Sequence, residues 1–114
     1  MKVTIELSNQ IIADLVVTAL EGGSNHWLNR FVATGYDKPE FYDTPFSITV
    51  EYDDPDSDEG QTATAVISNI EFEQGIQLFY LHTRHWEDAI AENMDAYTAD
   101  CFMQCVILGE VVYG

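Results

Sequence analysis

"FSITVEYDDPDSDEGQTATAVISNIE" (Phe46–Glu71) decides the fold class. In its first part Phe46, Ile48, Val50 and Tyr52 alternate with Ser47, Thr49 and Glu51, the period of a half-buried strand. "TATAVI" (Thr62–Ile67) predicts a partner strand. Between them "DDPDSDEG" (Asp53–Gly60) is too charged to be buried, so the pair predicts an antiparallel hairpin with a projecting acidic tip. Ser68, with Glu71 three residues later, then forms a capping-box pattern and the chain changes to helical spacing. Strand, turn, strand and helix in direct succession predict an α+β fold.

Working outward toward the C-terminus, the helix after Ser68 places Phe72, Ile76, Phe79 and Tyr80 along one stripe. Gly75 inside it costs about 1 kcal/mol relative to alanine, which points to a close helix or strand neighbour. "HTRHWEDAIAEN" (His82–Asn93) predicts a further short helix. Asp95 caps a last one, "AYTADCFMQCVIL" (Ala96–Leu108), which is apolar on nearly every side and so belongs at the centre. Gly109 ends it, and "EVVYG" finishes extended.

Toward the N-terminus, "VTIEL" (Val3–Leu7) alternates like a strand, and Ser8 caps a helix from Asn9 to Glu21. Ile11, Leu15 and Ala19, beside Ile12, Val16 and Leu20, form its core stripe. Gly22 and Gly23 stand where a left-handed helix cap is expected. Ser24 or Asn25 then starts a short second helix through Trp27 to Phe31. Ala33–Pro45 reads as a loop. The expected architecture is a single acidic α+β domain over residues 1–114. It has a small antiparallel sheet of two or three strands and four or five helices.

Charge bounds the function. Twenty Asp and Glu face four Lys and Arg, a formal net charge of −16. Lys2, Arg30, Lys38 and Arg84 are too few for a basic nucleic-acid patch, so direct DNA or RNA binding is excluded on that ground. Such a chain repels anionic membranes and attracts basic surfaces at rates that fall with salt. Plain dispersal in solution is the bland reading of the same charge. With no apolar run of membrane-spanning length and no apolar leader, a cytoplasmic location is expected. Cys101 and Cys105, four apart on one helix face, suit buried free thiols in a reducing compartment better than a disulfide.

Chemistry-bearing patterns are sparse. His82 and His85, with Glu87, Asp88 or His26, have a spacing zinc accepts, but no denser Cys/His pattern accompanies them. "DDPDSDEGQTAT" (Asp53–Thr64) has the oxygen density of a calcium loop without the glycine at position six and glutamate at position twelve that an EF-hand needs. No metal and no cofactor is expected. Ser24 stands two residues from His26, a separation that does not aim one at the other, and the serine is better used as a helix cap. The expectation is a protein that is not an enzyme.

Two segments carry a resemblance. "IADLVVTALEGGSNHWL" (Ile12–Leu28) and "AIAENMDAYTADCFMQCVILGEVVYG" (Ala89–Gly114) resemble a group of small proteins of phages, prophages and mobile elements. In that group an EGGSNYW-like corner accompanies a TADxFLQ…GExVYG-like tail. "GIQLFYLHTRHWEDAIAEN" (Gly75–Asn93) is similar to its middle portion, whereas Tyr36–Gly60 is not matched. The resemblance implies a phage-type origin and brings no catalytic residue with it.

Carboxylates fall into three stretches, Asp37–Asp43, Glu51–Glu59 and Glu87–Asp100. Spread over a folded surface, they can imitate the phosphate row that basic channels grip. The leading expectation is therefore a non-enzymatic inhibitor that binds a basic host defence protein, a CRISPR effector or restriction factor being the type. Asp53, Asp54, Asp56, Asp58 and Glu59, with Glu51, would carry steering charge. Asp37, Glu40, Tyr42 and Asp43 would form a second contact patch. The alternative is a small-ligand binder or sponge that uses the Gly22–Arg30 corner, with Ser24, His26, Trp27 and Arg30 around an anionic or aromatic ligand. A structural phage protein is the third reading.

Overall fold

The computed structural model describes residues 6–82, 86–90 and 95–113. Among them lie three strands and four helices, an α+β fold. Ser8 opens helix α1 (Asn9–Thr18) by accepting the Ile11 N–H at 3.2 Å. The helix buries Ile12, Ala13, Leu15 and Val16, close to the expected stripe. Of the expected strand Val3–Leu7, residues 3–5 lie outside the described residues, while Glu6 and buried Leu7 have no strand partner among them.

The glycine pair does not form a left-handed cap. Helix α1 widens over Ala19–Gly23 into a π-type turn, closed by the Ser24 N–H donating to the Ala19 carbonyl at 2.9 Å. Gly23 is demanded by proximity: a Cβ there would lie 2.8 Å from the carbonyl oxygen of Ala96 and 3.2 Å from that of Thr18. The stop signal in the sequence is real, but its cause is a neighbour distant in sequence.

The expected helix from Ser24 to Phe31 is a turn followed by a strand. Trp27 and Leu28 N–H groups both donate to the Ser24 carbonyl, and strand β1 (Leu28–Val32) starts at once. It pairs antiparallel with β2 (Ser47–Asp53), Leu28 opposite Tyr52 and Phe31 opposite Val50, with a register shift between Leu28 and Arg30. The shift brings two consecutive residues, Asn29 and Arg30, to the surface and so hides the two-residue period.

The hairpin is as expected. β2 pairs without a break with β3 (Thr62–Ser68), giving sheet order β1-β2-β3. Ile48, Val50 and Ile67 point to the helices. Helix α2 (Asn69–His82) follows directly, and Glu71 accepts both the N–H and the hydroxyl of Ser68, at 2.7 and 2.9 Å. Phe72, Ile76 and Phe79 enter the core, whereas Tyr80 remains 43% exposed against the edge of Trp86.

Helix α3 (Trp86–Ile90) is short. Helix α4 (Ala96–Ile107) begins where the Asp95 carboxylate accepts the Thr98 N–H, a bond that lowers the Asp95 pKa. Every residue from Thr98 to Val106 is buried, so α4 is the central element, packed on α1 and α2. Gly109, at φ 78°, turns the chain out of it.

Cys101 and Cys105 are buried free thiols, and burial pushes Cys105 from 9.0 up to about 12. Between those values the unfolded chain releases a proton that the folded chain keeps, so stability falls as pH rises above about 9 and is unaffected below it. The slope approaches about 1.4 kcal/mol per pH unit for this one group. Urea midpoints from pH 8 to pH 11 measure it. Cys105→Ala is expected to flatten the decline, although buried Tyr42, also raised by desolvation, leaves a remainder.

Candidate functional site

The two segments singled out by resemblance meet in space. The turn at Ser24–Trp27 lies against α4, and the tail from Leu108 returns across both. At the centre is Asp100, 3% exposed. Its Oδ1 accepts the Ser24 hydroxyl at 2.7 Å and the Trp27 indole N–H at 2.6 Å, and its Oδ2 accepts the Gln104 amide at 2.9 Å. His26 Nε2 stands 3.5 Å from Oδ2, an ion pair whenever the imidazole is protonated. Ionised or not, a carboxyl buried this deeply needs such partners to offset desolvation.

Gln104 is also buried, and all its bonding capacity is used. Beyond Asp100, its Nε2 donates to the Tyr113 carbonyl at 2.9 Å, and its Oε1 accepts the Val112 and Tyr113 N–H groups at 2.8 Å each. The side chain thus holds the tail as a neighbouring strand would. Tyr113 lies over Trp27 with centroids 5.9 Å apart and planes at 15°, and meets His26 edge-on. Its hydroxyl donates to the Asp53 carbonyl, while burial and the nearby Asp53 and Asp54 raise its pKa.

This arrangement is a clamp, and its chemistry is inward. Ser24 and Trp27 are fully buried and bonded to Asp100; His26 and Arg30 alone of the expected ligand set are exposed. Arg30 points away, on the outer sheet face opposite Glu51. The corner therefore offers no open cradle of the four. Neither Asp100 nor Gln104 stands out in the sequence, where Asp100 falls in the acidic stretch Glu87–Asp100; both are interior. The signal that could have found them is an acid and an amide four apart in an otherwise apolar helix.

The acidic surfaces lie elsewhere. Asp37, Glu40 and Asp43 are exposed around the 3-10 turn Pro39–Asp43, which packs beside α1 and is tied there by Asn9 donating to Asp43. Tyr42 does not join them. It is 8% exposed, edge-on to Phe41 and Phe46 and tilted against Phe72, with its hydroxyl donating to the Tyr36 carbonyl, so it builds the core rather than a contact patch.

At the other end of β2 the hairpin loop is ordered by its own polar groups. Asp54 Oδ1 accepts the Asp56 N–H, and Ser57 Oγ accepts from Glu59 and Gln61. Asp53 accepts from Asn29 at 2.9 Å. Asp56, Asp58 and Glu59 are exposed, while Glu51, Asp53 and Asp54 are half-buried. One acidic group thus precedes β2 and the other follows it, and β2 itself is about 20 Å long at the usual strand rise. Glu51 stands between them.

Among the described residues no group of three or more His, Cys, Asp or Glu side chains could hold a metal ion, and no helix is long and apolar enough to cross a membrane. His85 and the side chain of His82 lie outside the described residues. The chain matches no protein-family model, no curated protein and no solved structure.

Proposed function

We propose that this protein is a non-enzymatic inhibitor that binds a basic, nucleic-acid-gripping surface of another protein in the cytoplasm of a host cell. The observation that carries the reading is exposed carboxylates on both the turn before β2 and the loop after it, in a chain of net charge −16. The loop backbone supports it as well: the Asp54 carboxylate accepts the Asp56 N–H and the Asp54 N–H donates to the Gln61 carbonyl, which sets where the exposed Asp56, Asp58 and Glu59 leave the chain. The phage-like corner and tail favour a host defence protein as partner, with CRISPR effectors and restriction factors as the types. The ligand-sponge alternative loses support because two of its four side chains are buried and committed to Asp100.

The test is competition. A purified CRISPR effector and its labelled target duplex are mixed with increasing amounts of the protein at low salt. Loss of DNA binding is expected, weakening steeply as salt rises. The variant Asp56→Asn/Asp58→Asn/Glu59→Gln should slow association by about tenfold without unfolding the chain. DNA binding that survives a large excess at low salt rejects that effector as the partner.

A further inference from the structure

The two edges of the sheet are built differently. Strand β1 carries a register shift and an exposed arginine, Arg30, both devices that discourage another strand from docking. Strand β3, "TATAVIS", has no break, charge, proline or glycine. In an antiparallel ladder alternate residue pairs exchange backbone bonds, and the pairs between them turn their N–H and C=O groups outward. The Asp54 N–H donates to the Gln61 carbonyl in the register of β2 and β3, so the bonded pairs are Tyr52–Ala63, Val50–Ala65 and Ile48–Ile67. Thr62, Thr64, Val66 and Ser68 therefore turn their backbone groups to the open edge. The Glu71 carboxylate takes the Ser68 N–H at 2.7 Å. Among the described residues no strand lies beyond β3, so Thr62, Thr64 and Val66 each present a donor and an acceptor there.

The side chains around that edge select its occupant. On the outer face Thr62 and Thr64 stand beside Asp53 and Glu51 of β2, and Val66, 60% exposed, stands beside Thr49. Asp58 and Glu59 are exposed just before β3, and Glu71 closes its other end. Arg30, opposite Glu51 on β1, is a single cation against Glu51, Asp53, Asp58 and Glu59.

We infer that the β3 edge takes a basic, extended segment of a protein partner, which joins the sheet as a fourth strand antiparallel to β3 with the pattern apolar-x-basic-x-basic. The apolar residue covers Val66, and the two basic residues lie opposite Thr64 and Thr62. Threonine is short enough for a lysine or arginine stem to cross it toward Glu51 and Asp53, whose strand is two spacings away, about 9.5 Å. A second copy of β3 holds no cation to bring to those positions. The inference rests on the reading of a basic protein as partner and adds the element by which that partner is held. Backbone pairing supplies affinity, and alternate side chains supply specificity.

Nuclear magnetic resonance of the full chain, titrated at low salt with the blocked peptide Thr-Val-Thr-Lys-Thr-Lys-Thr, tests it. The Thr62, Thr64 and Val66 amides should exchange quickly in the free chain and several-fold more slowly with the peptide bound. Glu51→Gln/Asp53→Asn should weaken binding by about fivefold or more. Thr64→Pro removes one outward N–H and no bond to β2, so the sheet should persist by circular dichroism while binding is lost. Methylating the backbone nitrogens of the peptide's valine and two lysines keeps its charge and should abolish binding. Absence of peptide binding at millimolar concentration overturns the inference. Equal binding of the methylated peptide does so too, since the contact would then be diffuse charge. Slow exchange at the three amides in the free chain, from a second copy or from the chain itself, also overturns it. No effector is present in this titration, so its failure leaves the DNA-competition result standing, and failure of that competition leaves peptide binding to be read by itself.

Discussion

Asp100→Ala is expected to lower stability by about 3–5 kcal/mol, a large part of what a domain of this size possesses. The substitution removes the acceptor for three buried donors at once: the Ser24 hydroxyl, the Trp27 indole and one Gln104 amide proton. Each donor left buried without a partner costs about 1–3 kcal/mol. A fall in melting temperature of about 15 °C or more should follow, given the usual response of small domains. A loss below about 1 kcal/mol by urea titration would mean that the cluster relaxes freely and is not a structural clamp.

Asp100→Asn separates the parts of that clamp. Asparagine keeps an oxygen for Ser24 and Trp27 but turns an NH2 toward the Gln104 Nε2, donor against donor. Gln104 cannot rotate to accept, because its Oε1 already holds the Val112 and Tyr113 N–H groups. The strain therefore falls on the tail. A smaller destabilisation of about 1–2 kcal/mol is expected, together with faster amide exchange at Val112 and Tyr113. The indole N–H resonance of Trp27 should keep its bonded position. Equal effects on both sites would argue against this division.

The hairpin, the Ser68–Glu71 cap and the central helix α4 were legible because each is encoded locally, in a two-residue period, a three-residue spacing or an apolar surround. β1 was not, since its register shift after Leu28 puts Asn29 and Arg30 together on the outside and leaves no alternation to read. The clamp was illegible for a different reason: Asp100 finds Ser24 and Trp27 at separations of 76 and 73 residues, and no local spacing records that. The same holds for Tyr42, whose place among acids in "YDKPEFYD" disguised a core aromatic. The opening and closing segments looked like two signatures; in space they are the two halves of one clamp.

Gly75→Ala shows how far a single missing side chain sets the spacing of helices α2 and α4. In an isolated helix the change would gain about 1 kcal/mol from propensity. Here the added Cβ would lie 2.5 Å from Val106 Cγ2, 2.8 Å from Val106 Cα and 3.0 Å from its nitrogen. The methyl could turn aside, but the Cα and nitrogen belong to the backbone of the central helix, every residue of which from Thr98 to Val106 is buried. Relief therefore requires α4 to move, and with it Asp100 and Gln104 on the same helix. Overpacking of this kind costs about 1–3 kcal/mol, and backbone contact places it at the upper end, so a net loss of about 2 kcal/mol is expected after the propensity gain. Val106→Ala in the same chain should recover only part of it, since it removes the Cγ2 contact and leaves the two backbone ones. A double-mutant cycle measures the recovery. Full rescue would place the conflict in the side chain alone, and a stabilised Gly75→Ala would show that the helices separate at little cost.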